Sequence, residues 1–409
     1  LPADGEQPNE QGSPAACPAD EPEPEAEAGA GGRASGSGTG LSRRRLLGLG
    51  SGAVLGAGLM AGGLGVTQLI NSTDPSGRPR PVFALPPCID VHHHAMPATV
   101  RSWVAAADRP PGIHSSLFAP WNAHDTLTAL DEHGTELAVL STPIPAALTP
   151  TVTHGAELAR LVNDGLHGIA VDHPTRFGWL ARVPLLDIAD ALAEIDRVYD
   201  QLQPDGVLLT THDVDRLLAD QTFDVVLEAL HARDAVVLVH PEALPDLSPG
   251  SVPPFLVDEP TEITRAAVSL TMSGVLDHYP AIRWILAYGG GAFPYLAGRL
   301  IAGRGRGYGA DPASVQAAVR RFSYDTAGPT SPYATPTLLA ATRSGAGAGA
   351  GRILYGSDSH AIPPAAVADS LSQLRADPAL DAGSRAAIAR DNALRLFPTL
   401  HHRLAQGRS

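Results

Sequence analysis

Cysteine is nearly absent from this chain of 409 residues. The two present, Cys17 and Cys88, lie in an acidic N-terminal stretch and in an apolar run, so no disulfide framework is expected. Aromatic residues reach only 5%, which leaves packing to Leu, Val and Ala. An excess of positive charge is also missing. The formal net charge of −14 argues against a nucleic-acid partner. The charge-free stretch from Leu46 to Ile70 holds eight glycines between Gly48 and Gly65. It is therefore only weakly hydrophobic, unlike the roughly 20 strongly apolar residues of a permanent membrane span.

What is present divides the chain into unequal parts. Residues 1–40 carry eight acids, one base (Arg33) and much Pro, Gly and Ala. Such a segment cannot bury a core and reads as a disordered acidic tail. In residues 41–70, Ser42-Arg43-Arg44 with Leu46-Leu47 ahead of the glycine-rich run resembles a bacterial twin-arginine signal. That resemblance implies export by the twin-arginine machinery to the envelope or beyond, with a membrane anchor as the alternative. Residues 71–85 read as a linker whose end, Val82 to Leu85, leads into the first strand.

From residue 86 to about 400 short apolar runs alternate with amphipathic helical segments. The first strand candidate is the apolar lead-in Val82 to Leu85, continued by Cys88 and Ile89 into the histidines at 92–94; the others are 137–140, 178–183, 206–211, 235–240, 282–288, 321–325 and 352–356. Helical spacing lies between them, as at Ile188, Leu192, Ile195, Val198 and Leu202. A long helix is expected over 261–279, stopped by Pro280. Runs apolar throughout suit strands covered on both faces. Eight such units predict an α/β fold of the (β/α)8 TIM-barrel class, with chemistry at the C-terminal ends of the strands. A doubly wound open sheet is the alternative, but no glycine-rich phosphate loop follows the first strand.

The first strand ends in Asp90-Val91-His92-His93-His94. Residues two apart on a strand share a face, which pairs His92 with His94 and turns His93 away. His240 ends the fifth strand and Asp358 follows the eighth. Three imidazoles and a carboxylate on one barrel rim suit a divalent metal, Zn²⁺ first and Mn²⁺ second.

Several pieces resemble the amidohydrolase superfamily in its amidohydrolase 2 branch, which includes aminocarboxymuconate semialdehyde and 6-methylsalicylate decarboxylases. They are Asp90 to His94, Val239-His240-Pro241, Gly289 to Pro294 with Gly298-Arg299, Gly356-Ser357-Asp358 and Asn392 to Phe397. The resemblance implies a metal-dependent, non-oxidative decarboxylase of an aromatic or enol-bearing carboxylic acid. Asp358 would shuttle the proton. Arg299 would hold a substrate carboxylate in a neighbouring subunit's site, which implies a homodimer. Metal-dependent hydrolysis of an amide, ester or lactone is the second reading, and a secreted relative that binds without turnover is the third. Two positions depart from the branch. Tyr288 stands where it has a histidine beside the metal, and a phenol is a weaker base and a poorer ligand. Ser359-His360 replaces an aromatic and a proline. On an extended segment His360 would face the same way as Asp358 and partly replace the missing imidazole.

Overall fold

Pro86 and Pro87 bring no backbone donors, and the first strand begins directly after them. Leu85 is therefore not part of that strand, as the lead-in reading had it. In this computed structural model the described residues are 84–106, 120–144, 151–213, 216–242, 252–328, 333–343 and 349–406. All of them fall in the second of the chain's two units, Ala61–Ser409. The acidic tail, the twin-arginine-type segment and nearly all of the linker lie outside the described residues. Among the described residues, no helix is long and apolar enough to cross a membrane.

Eight strands form one parallel sheet in chain order: β1 Cys88–His94, β2 Thr135–Ser141, β3 Phe177–Arg182, β4 Gly206–Thr210, β5 Val236–His240, β6 Arg283–Leu286, β7 Ser323–Asp325 and β8 Ile353–Leu354. The last strand returns to the first. Val91 N donates to Tyr355 O at 3.0 Å and Asp358 N to His92 O at 2.9 Å. That closure, with sequential strand order, makes a (β/α)8 barrel and rules out the open sheet. Strands β1, β2, β4 and β5 are buried over almost their whole length, and β4 and β5 are apolar nearly throughout, as strands covered on both faces are. Trp179, Trp284, Phe177 and Tyr324 are among the largest side chains in the core.

The connections carry their own signals. Helix Ala123–His133 opens on Asn122, whose side chain accepts from Asp125 N, and ends at Gly134 in the left-handed region (φ 70°). Gly134 O then receives Cys88 N, which ties the helix end to the start of β1. The helix expected over 261–279 runs instead over Pro254–Met272. Proline is at home in a first helical turn, where its missing N–H is not needed. Gly274 at φ 84° then breaks the helix before the short segment Val275–His278. The low-complexity run from Ser344 to Gly351 reads, from sequence alone, as a surface loop that carries no chemistry. Residues 344–348 lie outside the described residues, but Ala350 is buried and its carbonyl accepts from the Asn392 amide at 2.7 Å.

Candidate metal centre at the barrel mouth

The C-terminal ends of β1, β5 and the segment after β8 meet at one point. One ligand atom each from His92, His94, His240 and Asp358 lies within 4.8 Å of every other. His92 Nε2 and His94 Nε2 are 3.2 Å apart, and His94 Nε2 is 3.0 Å from Asp358 Oδ1. None of the four is more than 7% exposed, so water does not solvate them in bulk. His93 points the other way, as strand alternation demands, with Nδ1 2.9 Å from Asp90 Oδ2.

The second ring nitrogen of each histidine is engaged. His92 Nδ1 meets Asp325 Oδ2 at 2.7 Å, His94 Nδ1 meets Ser141 Oγ at 3.1 Å, and His240 Nδ1 meets Pro241 O at 2.8 Å. These partners hold Nδ1 and turn Nε2 toward the shared centre, the arrangement that orients metal-binding imidazoles. Two buried atoms there, His240 Nε2 and Asp358 Oδ1, have no hydrogen-bond partner among the described residues. Orphaned polar atoms deep in a protein are costly, and a cation at their focus satisfies both. The donor set therefore fits a divalent ion.

Electrostatics agree. Burial, reinforced by the neighbouring rings, holds His94 and His240 well below the ordinary imidazole value, so both are neutral donors near pH 7. Burial also works against a charged His92, but the Asp325 and Asp358 carboxylates outweigh it and raise His92 to about 9. Burial lifts Asp325 and Asp358 above the usual carboxylate range.

Tyr288 stands at the centre's edge. Its ring stacks on His92 with centroids 5.8 Å apart, and its backbone sits at φ 53°. Its N–H donates to Asp325 Oδ1 at 2.9 Å. Its hydroxyl lies 3.1 Å from Glu259 Oε2 and 3.3 Å from Asp358 Oδ2. Burial, with Asp358 and Glu259 nearby, pushes its pKa well up, so the phenol keeps its proton.

The expected direction of His360 rested on an extended segment after Asp358, which the backbone does not form. Asp358 at φ 59° and His360 at φ 73° are both left-handed, so the segment is not extended and the two-residue alternation does not apply. His360 is half-buried and is not among the converging ligand atoms. Arg299 is exposed on helix Phe293–Ala302 and is not part of this chain's own cluster.

Residues 89–399 match the amidohydrolase family model. The chain belongs to the amidohydrolase family. Its curated relatives include a decarboxylase of Penicillium terrestre, 34% identical over 227 residues, 52% of this chain and 66% of that one. A 6-methylsalicylic acid decarboxylase of Penicillium expansum is 32% identical over 322 residues, covering 76% of this chain and 96% of that one. Among solved structures, a dihydroxybenzoic acid decarboxylase of Polaromonas with bound manganese matches with a TM-score of 0.62 at 22% identity, covering 76% of this chain and 97% of that one. At that identity the likeness speaks for the amidohydrolase barrel alone.

Sequence reasoning missed three contributors. Asp325 ends β7 on the same rim, and an acid at the C-terminal end of a short strand candidate was the available signal. Ser141 faces His94 through the β1–β2 register. Glu259 comes from a helix with no sequence proximity to any other site residue, and nothing in its local pattern marks it.

Proposed function

We propose that this chain is a metal-dependent, non-oxidative decarboxylase of a hydroxylated aromatic acid of the 6-methylsalicylate type. The observation that carries the proposal is the division of labour at Asp358. Its Oδ1 joins the three imidazoles, while its Oδ2 faces a neutral phenol. One carboxyl can thereby help hold an ion and handle a proton. Zn²⁺ is the first candidate for this donor set, and Mn²⁺, bound in the Polaromonas structure, is the second.

His92, His94, His240 and Asp358 would hold the ion, which supplies a Lewis-acid charge for the substrate's carboxylate and neighbouring hydroxyl. Asp358 then delivers a proton to the ring carbon that bears the carboxylate. The C–C bond breaks, its electron pair stays on that carbon and takes the proton, and CO2 leaves. Tyr288 fixes Oδ2 of Asp358 by hydrogen bonding. The chain contains no lysine, its 29 basic residues all being arginine. A Schiff-base route to decarboxylation is therefore closed to it.

In the hydrolase reading Asp358 would take the proton of water near the ion, helped by a histidine at the position of Tyr288; the phenol that stands there is a weaker base, and burial raises its pKa further, which counts against that reading. The proposal extends to a homodimer in which the exposed Arg299 meets a substrate carboxylate in the partner's site, and to export by the twin-arginine route; both rest on sequence resemblance.

The test is CO2 release from metal-loaded protein given 6-methylsalicylate, 2,6-dihydroxybenzoate and 4-hydroxybenzoate. The two acids with a hydroxyl beside the carboxylate should lose CO2, with deuterium entering the vacated carbon in D2O; the third should not. Hydrolysis of aryl esters or lactones without any decarboxylation would sink the proposal.

A further inference from the structure

Of the residues that close the eight described barrel strands, only Arg182, at the end of β3, carries a permanent positive charge. The metal centre does not use it. Register places it inside the barrel. Arg182 pairs with Leu208 of β4, and two residues further on Thr210 pairs with His240 of β5. Paired residues share a face, so Arg182, Thr210 and His240 all turn inward at the mouth. Asn163 grips the Arg182 backbone from both sides. Arg182 N donates to Asn163 Oδ1 at 2.7 Å, and Asn163 Nδ2 donates to Arg182 O at 3.0 Å. Asn163 is itself fully buried and also donates to Glu194 Oε1 at 2.7 Å.

The side chain is less well served than the backbone. Arg182 Nε is buried and has no hydrogen-bond partner among the described residues. A buried guanidinium N–H without an acceptor is costly. Beside it lies a cavity of about 30 Å³, whose polar wall is Arg182, Thr210, Asp213 and Glu242 and whose remaining wall is apolar. That is room for about one or two water-sized groups. A second carboxylate is the wrong occupant, because two acids already face the one arginine. A hydroxyl fits, since it accepts from Nε and donates to a carboxyl oxygen, which has lone pairs to spare. The scale fits as well. Adjacent strands lie about 4.8 Å apart, so a ring whose carboxylate lies at His240 reaches the wall built by β4. The two ring positions beside the carboxylate stay with it, and the cavity meets the positions further round.

We propose that Arg182 is a specificity residue that, with Thr210, Asp213 and Glu242, holds a second ring hydroxyl of the substrate, one not adjacent to the carboxylate. The hydroxyl beside the carboxylate serves the reaction, and the second one selects among acids that share it. A site built to hydrogen-bond a hydroxyl discriminates against the analogue that lacks it, because its own polar groups are then left unpaired. This inference rests on the decarboxylase reading for the class of ligand.

The experiment uses the full chain loaded with Mn²⁺ and ligands that cannot turn over. In 2-nitrophenol, 3-nitrocatechol, 4-nitroresorcinol and nitrohydroquinone a nitro group stands in for the carboxylate, and the last three add a hydroxyl at each more distant position. Kd is measured by titration for wild type and Arg182→Met. At least one of the three should bind wild type about tenfold or more tightly than 2-nitrophenol. Its methyl ether, which accepts but cannot donate at that position, should lose the gain. Arg182→Met should erase the preference, with metal content and the Kd of 2-nitrophenol unchanged. The benzoic acid matching the preferred ligand should also lead salicylate in kcat/KM. Equal affinity for all four ligands in wild type, a result that needs no variant, would overturn the proposal and leave the cavity to water. A preference that survives Arg182→Met, or an equal loss for every ligand, would overturn it too. If the hydroxyl preference holds but no acid releases CO2, the decarboxylase reading fails and the subsite stands.

Discussion

Two arcs of the barrel mouth present their side chains in different ways. On the β1 side, His92 and His94 ride on extended backbone, and the pleat alone sets their direction. Their Nδ1 atoms are pinned by Asp325 and Ser141. On the arc after β6 and β8, Tyr288 and Asp358 stand at positive φ, where a side chain costs about 1–2 kcal/mol of backbone strain. Backbone hydrogen bonds hold them there, Tyr288 N to Asp325 and Asp358 N to His92 O. One arc needs only a strand to aim its ligands. The other depends on the first, because Asp325 and His92 serve both. Such strain persists only where the surroundings over-determine it, and here they bring the Tyr288 hydroxyl and the Asp358 carboxyl to the two imidazoles.

The largest effect should come from Asp358→Asn, which belongs to both functions. Its kcat should fall by about 10²- to 10⁴-fold, and single-turnover assays of CO2 release will show whether the chemical step is lost. Asp325→Asn strikes the residue common to the two arcs. Metal affinity, measured by competition with a chelator, should weaken about 10- to 100-fold. A variant that lost Tyr288 order yet kept full affinity would show the arcs to be independent. Protonation sharpens the comparison within the metal-binding set. His92 is raised to about 9, so the metal-free protein holds a proton there at neutral pH, whereas His94 and His240 are already neutral. A metal ion needs the lone pair and must displace that proton. Apparent affinity should therefore rise with pH, about tenfold per pH unit, and level off near 9. Calorimetry in buffers of different ionisation enthalpy should find one proton released per ion bound at neutral pH; none released would contradict the assignment. The smallest effect should be that of Tyr288→Phe. It keeps the ring stacked on His92 and removes the hydroxyl, so metal content should be unchanged while kcat drops about tenfold.

How much of this was legible in the sequence follows the same division. The His92-x-His94 pair could be read because period-2 alternation is a property of the strand itself, and His240 because it ends an apolar run. Sequential βα alternation gave the barrel for the same reason. Alternation could not set the direction of His360, because the backbone from Asp358 onward is left-handed at non-glycine residues, which local sequence does not announce. Glu259 was invisible because its place depends on a close approach at Gly291, a tertiary fact. The helix that bears it was expected to begin at 261, and Pro253-Pro254 were not read as its start.

The central claim is that the four converging atoms hold an ion. The measurement that tests it most directly is the metal content of the protein purified without chelator, beside His92→Ala/His94→Ala prepared in the same way. About one divalent ion per chain, absent from the folded double variant, is the result expected of three imidazoles and a carboxylate. A folded wild-type protein that takes up neither Zn²⁺ nor Mn²⁺ would contradict the account.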